Sequence, residues 1–138
     1  MSARFSIDEY VRWSDIDAAG VICYGAYVRF FELAETELFR AAGMPYGEVF
    51  ERFDIWLPRA KLTCEFHAPA KLDERLKVSA WVARIGSSSL TLDFSVTNAA
   101  GLEIAGCEIV LVCVDRERFR PRPLPETLRD ALSRYAAA

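Results

Sequence analysis

The fold is decided by residues 15–27, DIDAAGVICYGAY, in which two carboxylates and a glycine precede an apolar segment with helical spacing. A carboxylate held beside the N-terminus of a helix lies next to backbone N–H groups that have no partner within that helix. Such N–H groups stabilise an oxyanion as it develops. The pattern therefore indicates a hydrolytic site, and the chemistry that it suits is acyl transfer to water.

A long helix is predicted directly after this loop. Between residues 26 and 42 the apolar side chains follow helical spacing, and their stripe is broad enough for a sheet to curve around it. Gly43 and Pro45 supply the helix stop. Residues 45–56 are less regular and allow either a short second helix or a packed loop. We therefore expect the long helix to form the core of the domain.

Strands are predicted on both sides of this helix. Apolar and polar residues alternate over residues 5–13, 60–68, 75–82 and 89–97. The turn at residues 86–88 should join the last two segments in a long antiparallel hairpin. Residues 109–114 are apolar without alternation, which is typical of a central strand buried on both faces. Residues 124–135 predict a final amphipathic helix, with Pro125 in its first turn.

The order of these elements predicts one α+β domain. A strand and the long helix are followed by four strands in meander-like succession, so an antiparallel sheet should wrap around one helix. The length of 138 residues suits a single domain that spans residues 1–138, and no repeat or linker divides it.

Composition excludes several classes of function. The net charge of −3 argues against a nucleic-acid partner. No apolar run approaches the roughly 20 residues that span a bilayer, and the N-terminus lacks the apolar region of a signal peptide, so we expect a cytoplasmic protein without a membrane partner. The four cysteines show no CxxC spacing and are expected to be buried thiols, not zinc ligands or disulfides.

Residues 13–24, WSDIDAAGVICY, resemble the active-site loop of the 4-hydroxybenzoyl-CoA thioesterase family. The order of elements agrees over most of the chain, and the resemblance implies the hotdog fold, with a five-stranded antiparallel sheet around one central helix. It also implies an acyl-CoA thioesterase for an aromatic or short-chain acyl group, with no metal and no cofactor beyond the CoA of the substrate. The family pattern is a homodimer that assembles into a homotetramer, with the site between subunits. A hydrophobic fraction of 52%, slightly above the usual 45–50%, fits such assembly.

Asp17 is the catalytic residue that the resemblance implies. It would attack the thioester carbon to give a mixed anhydride, or orient a water molecule for direct attack, and the sequence leaves both routes open. The backbone N–H groups of Tyr24 and Gly25 would hold the carbonyl oxygen, with Tyr24 as the leading donor. Gly20 allows a sharp turn, and Asp15 is expected to cap nearby N–H groups.

Further substrate contacts are expected outside this loop. The resemblance implies that Pro58 and Arg59 of a second subunit line the acyl pocket. The phosphates of CoA call for arginine, and arginine recurs at every second position from residue 116 to residue 122. The candidate CoA contacts are Arg84, Ser87, Ser88, Arg118 and Arg120.

Other assignments stay open at this stage. Glu32 and Glu35 lie on the long helix and are expected to be surface or interface charges, although another hotdog branch uses a helix-borne glutamate, so Glu35 is the alternative base. His67, the sole histidine, has no visible partner in the sequence. Tyr24 stands where many family members carry histidine, which favours the aromatic-acyl branch. The rival functions are a hotdog acyl-thioester hydratase or dehydratase and a non-catalytic acyl-CoA-binding protein.

Overall fold

The computed structural model describes residues 4–136, in which five strands form one antiparallel sheet. The five strands are β1 (Phe5–Tyr10), β3 (Arg59–Phe66), β4 (Arg75–Ile85), β5 (Ser89–Thr97) and β6 (Glu103–Val112). Their order in the sheet is β1-β4-β5-β6-β3. Two short strands, β2 (Ile55–Trp56) and β7 (Val114–Asp115), pair with each other. The predicted five-stranded antiparallel sheet is confirmed.

The long helix α1 (Tyr27–Ala41) packs on this sheet and forms the centre of the core. It buries Phe30, Phe31 and Leu38, and the ring of Phe31 lies 5.4 Å from the ring of Phe94 on β5. A 3-10 turn at Tyr24–Ala26 leads into the helix. Gly43 follows its end with a φ of 79°, a left-handed conformation that glycine adopts without strain. The predicted helix and its stop signal are both confirmed.

The position of β3 differs from the predicted meander. This strand pairs with β6 at the edge of the sheet and not with β4, which follows it in the chain. After β3 the chain crosses to the other side, where it is held by the loop that follows β1. Val11 N–H donates to Glu74 O, and Ile22 N–H donates to Ala70 O, each at 2.9 Å. The meander is therefore wrong for β3, whereas the predicted β4–β5 hairpin is confirmed.

Side-chain burial corrects three further expectations. β1 ends at Tyr10, and Trp13, which the alternation placed on the core face, is 80% exposed in a 3-10 turn. β6 alternates buried and half-buried residues and is not buried on both faces. Leu62 and Phe66 of β3 are 49% and 50% exposed, because α1 packs mainly against β1 and β4. These two apolar side chains of β3 are therefore only half covered within one chain.

Two shorter helices complete the described part of the chain. α2 (Tyr46–Phe53) follows α1, which agrees with the helical alternative for residues 45–56. α3 (Glu126–Ser133) confirms the predicted final helix over a shorter range, and Pro125 stands at its N-cap position, just before the first turn. Within residues 4–136 no helix is long and apolar enough to cross a membrane.

The cysteines are all free thiols in the structure. Cys107 and Cys113 are buried as expected, while Cys23 and Cys64 are half-buried. No cluster of three or more His, Cys, Asp or Glu side chains suited to a metal ion occurs in the part of the chain that the structure describes.

Candidate active site

Asp17 lies at the start of a tight turn between β1 and α1. Its carbonyl oxygen accepts a hydrogen bond from Gly20 N–H at 3.0 Å, and its own N–H donates to Val21 O at 2.9 Å. The carboxylate oxygen Oδ1 accepts from Ala19 N–H at 2.8 Å. Gly20 has a φ of 79°, so the turn requires the conformational freedom expected of this glycine. The exposed Asp17 carboxylate is held through Oδ1, and Oδ2 has no hydrogen-bond partner within residues 4–136.

Asp15 anchors this turn to α1. Its carboxylate, 2% exposed, accepts from Arg12 N–H at 2.7 Å and from Arg29 through Nε at 3.0 Å and a terminal nitrogen at 2.6 Å. The hydrogen bond to Asp15 is the main reason why the pKa of Arg29 is raised. Asp15 O also accepts from Cys23 N–H at 2.8 Å. The capping role expected of Asp15 is confirmed, and Arg29 is a partner that the sequence analysis missed.

Tyr24 and Gly25 provide the backbone N–H groups nearest to the start of α1. In the 3-10 turn the first internal hydrogen bond runs from Ala26 N–H to Cys23 O at 2.9 Å, so the N–H groups of Tyr24 and Gly25 precede the intrahelical bonds. The space beside Gly25 is open where a side chain would stand. A carbonyl oxygen placed here meets N–H donors and the positive end of the helix dipole.

A cleft of about 440 Å³ joins Asp17 to the start of the helix, and its size falls within the range of small-molecule sites. The ring of Tyr27 lies 5.2 Å from that of Phe66. Burial raises the pKa of Tyr27 to about 12, so this wall stays uncharged at neutral pH. The residues that line the cleft are Asp17, Ile22, Tyr24, Tyr27, Phe66, His67, Ala68 and Pro69.

His67, to which the sequence assigned neither a partner nor a role, lines this cleft. Its Nε2 lies 3.3 Å from Oε1 of Glu103, which begins β6. The two residues are far apart in sequence and meet only because β3 pairs with β6, which the sequence did not predict. His67 therefore has a partner and faces the same cleft as Asp17.

The remaining predicted contacts lie at the opposite end of the sheet. Arg59 begins β3 and Phe66 ends it, so these residues are about 23 Å apart at 3.3 Å per residue. Arg59 pairs with Leu111, which pairs with Leu90 beside the β4–β5 turn. The predicted residues at this far end are Pro58, Arg59, Arg84, Ser87, Ser88, Arg118 and Arg120. One chain therefore does not bring them to Asp17.

The arginines of residues 116–122 divide into two pairs. Arg116 and Arg122 donate to carbonyl oxygens in the last turn of α2 at 3.0 and 3.3 Å. These two side chains therefore hold the segment after β7 against α2. Arg118 and Arg120 have exposed side chains, and their backbone N–H groups donate to the Asp115 carboxylate at 2.5 and 3.2 Å. The second pair therefore has guanidinium groups available for an anion.

Glu35 is buried, which contradicts its expected place among surface or interface charges. Its side chain is 1% exposed, and its carboxylate accepts hydrogen bonds from Tyr46 Oη and, at 2.5 Å, from Arg59. Desolvation raises the pKa of Glu35, against the opposing charge of Arg59. Glu32 is exposed as expected. Glu35 does not line the cleft, so Asp17 is the carboxylate placed there.

We expect Glu35→Gln to reduce the loss of stability that accompanies rising pH. The pKa of Glu35 is raised above 4.5, so its contribution to the free energy of unfolding is complete below that pH and is lost as pH rises through the folded-state value. Urea denaturation between about pH 4.5 and 8 measures this slope. The exposed Glu32→Gln is the control and should follow the parent. Equal slopes in the parent and Glu35→Gln would contradict the prediction.

A sheet wrapped around one long helix, with a carboxylate-bearing loop before that helix, defines a hotdog-fold protein of the thioesterase class. The family model described as the thioesterase-like superfamily matches residues 11–132. The chain belongs to this superfamily, and it is an enzyme of the thioester-hydrolase class. The matches support the superfamily and not specifically the 4-hydroxybenzoyl-CoA family.

Individual relatives agree with this placement. The chain is 31% identical over 118 residues to the acyl-CoA thioester hydrolase YbgC of Escherichia coli O6:H1, covering 86% of this chain and 87% of YbgC. It is 26% identical over 125 residues to the 1,4-dihydroxy-2-naphthoyl-CoA hydrolase of Thermosynechococcus vestitus, and the match covers 88% of this chain and 86% of that hydrolase. The crystal structure of Slr0204, a 1,4-dihydroxy-2-naphthoyl-CoA thioesterase from Synechocystis, superposes with a TM-score of 0.87 at 20% identity. The superposition covers 95% of this chain and 96% of Slr0204. The hotdog fold predicted from the sequence is confirmed.

Proposed function

We propose that the protein is an acyl-CoA thioesterase that hydrolyses an aromatic or short-chain acyl-CoA to the free acid and CoA. The observation that carries this proposal is the shared cleft, which is lined by both Asp17 and Tyr24, a residue of the 3-10 turn that leads into α1. A thioester bound there has a nucleophile or base on one side and oxyanion donors on the other.

The proposed mechanism uses only groups of this chain and water. The thioester carbonyl oxygen accepts hydrogen bonds from the N–H groups of Tyr24 and Gly25. Asp17 then either attacks the carbonyl carbon and expels the CoA thiolate, leaving a mixed anhydride for water to open, or removes a proton from an attacking water molecule. Both routes consume one water molecule and need neither a metal ion nor a separate cofactor.

An aromatic acyl group, such as 4-hydroxybenzoyl, is our preferred substrate class. Tyr24, Tyr27 and Phe66 supply aromatic walls to the cleft, and flat rings pack well against such walls. The relative from Thermosynechococcus vestitus is named as the hydrolase of a hydroxylated naphthoyl-CoA. YbgC is named only as an acyl-CoA hydrolase, so short aliphatic thioesters belong in the same trial.

We further propose that two copies of the chain complete the site. β3 is an edge strand with one unpaired side, and such strands commonly pair with another chain. Antiparallel pairing of two β3 strands about a two-fold axis would set the Arg59 end of one copy beside the Phe66 end of the other. This arrangement would bring Pro58, Arg59, Arg118 and Arg120 towards the other copy's cleft. A further pairing of dimers would give the expected homotetramer.

We expect Leu62→Lys to abolish both assembly and turnover. Leu62 lies in the middle of β3 and is 49% exposed, so the variant sets two ammonium groups close together at a two-fold axis. Sedimentation of the 15.6 kDa chain measures the assembly state of parent and variant. Leu102→Lys, at the exposed turn between β5 and β6, should leave assembly and activity intact. An active monomeric Leu62→Lys variant would refute the shared site.

The function is tested by thiol release from a panel of aromatic and aliphatic acyl-CoAs. Turnover in the parent supports hydrolysis and ranks the acyl groups. Addition of water to an enoyl-CoA without thiol release would favour the hydratase alternative. Binding of acyl-CoA without any turnover would favour a non-catalytic binding protein. Loss of binding in Arg118→Ala/Arg120→Ala would support their assignment to CoA phosphates.

A further inference from the structure

We infer that His67, held by Glu103, determines the acyl preference of the Asp17 cleft by accepting a hydrogen bond from a hydroxyl group on the acyl moiety. The inference rests on the proposed function and extends it to one residue. His67 and Asp17 both line the cleft, so a ligand that fills it meets both side chains.

Two contacts hold His67 in the cleft, one through its backbone and one through its ring. Its backbone N–H donates to Ile104 O at 2.8 Å, next to the end of β3. The ring Nε2 lies 3.3 Å from Glu103 Oε1, while Oε2 of the same carboxylate accepts from Ser95 Oγ at 2.6 Å. Ser95 therefore orients Glu103, and Glu103 orients His67.

This contact determines what His67 offers to a ligand. An ionised carboxylate only accepts hydrogen bonds, so of the two tautomers of an imidazole that carries one proton, Glu103 favours the one with the proton on Nε2. The other ring nitrogen, Nδ1, is then an acceptor. Within residues 4–136 the side chain makes no other polar contact that would occupy Nδ1. A hydroxyl group on the acyl moiety is the complementary donor.

The charges around the cleft restrict the substituent further. Asp17 lines the cleft, Glu103 stands directly behind His67, and no lysine or arginine is among the lining residues. A carboxylate on the acyl group would meet these two negative charges. Of the arginines that the proposed second copy would bring towards the cleft, Arg59 is already paired with Glu35, and Arg118 and Arg120 are assigned to the CoA phosphates. The cleft therefore suits an uncharged acyl group that carries a hydroxyl, such as a hydroxybenzoyl group.

Hydrolysis of matched substrates tests this inference. Benzoyl-CoA, 3-hydroxybenzoyl-CoA and 4-hydroxybenzoyl-CoA are compared at pH 8 for the parent and His67→Phe, which keeps a ring but removes both nitrogens. We expect the kcat/KM ratio of the preferred hydroxylated substrate to benzoyl-CoA to fall by about tenfold, the value of one neutral hydrogen bond. His67→Asn, whose amide oxygen stands near the position of Nδ1, should restore part of the ratio.

The kcat/KM ratio of the hydroxylated substrate to benzoyl-CoA distinguishes loss of hydroxyl recognition from damage to the fold, which would lower all rates together. Equal losses for all three thioesters, or an unchanged ratio, would overturn the inference and leave the tyrosine hydroxyl groups as the contacts. If the parent hydrolyses none of these three thioesters, the aromatic substrate class of the proposed function fails, and calorimetric binding of the same thioesters to the Asp17→Asn chain then tests His67 alone. There too, a ratio of affinities that does not change in Asp17→Asn/His67→Phe overturns the inference.

Discussion

Asp17→Asn is expected to lower kcat for thioester hydrolysis by about 10²–10⁴-fold, the usual contribution of a positioned base. The asparagine side chain keeps an oxygen that accepts the hydrogen bond now donated by Ala19 N–H, so the turn should survive. It has no charge with which to attack the thioester or activate water. Because the aromatic walls and the helix N–H groups are unchanged, KM should change little.

The control for this variant is an aspartate that is equally exposed but lies away from the cleft. Asp130 is exposed on α3, so Asp130→Asn alters the charge in the same way without touching the site. Thiol release is measured for both variants against the parent over a range of substrate concentrations. If Asp17→Asn retains turnover within threefold of the parent, Asp17 is not the catalytic carboxylate, and Glu35 becomes the next residue to substitute.

The parts of this structure that sequence predicts best are those set by local pattern. The spacing of apolar residues in 26–42 specifies α1. Gly43 follows its end in a left-handed conformation, which is a preference of glycine that the local sequence alone reveals. The alternation of β4 and β5 around a short turn likewise specifies their hairpin. The carboxylates and glycine of residues 15–20 specify a turn before the helix.

What the sequence did not predict depends on contacts between distant segments. The pairing of β3 with β6 is set by the crossing segment at residues 70–74, whose backbone bonds to the β1 loop leave no local signal. The His67–Glu103 contact follows from that pairing, so it was equally hidden. Glu35 sits on a helix where a solvated charge is the usual outcome, and only the tertiary approach of Tyr46 and Arg59 makes its burial tolerable.

Substitution in the Asp15–Arg29 pair is expected to lower both the stability of the fold and the rate of catalysis. Asp15 is 2% exposed, whereas Arg29 is 35% exposed and keeps Glu9 as a second counter-ion at 2.8 Å. We expect Asp15→Asn to lower the free energy of unfolding by about 1.5–3 kcal/mol, the value of hydrogen bonds to a charged group, because solvent and Glu9 partly compensate Arg29. Chemical denaturation measures this change.

The same substitution should reduce catalysis in the molecules that remain folded. Asp15 joins the turn that carries Asp17 both to α1, through Arg29, and to Cys23, which directly precedes the oxyanion donors, so its loss lets these groups shift relative to each other. A displacement of about 1 Å between reacting groups costs up to about 10²-fold, so kcat should fall by tenfold to a hundredfold under native conditions. Glu37→Gln is the matched control, because it breaks an exposed carboxylate–arginine pair on the same helix that is worth less than about 1 kcal/mol. If Asp15→Asn were no more costly than Glu37→Gln in either measurement, the position of Asp17 would have to be fixed by the backbone hydrogen bonds of the turn alone.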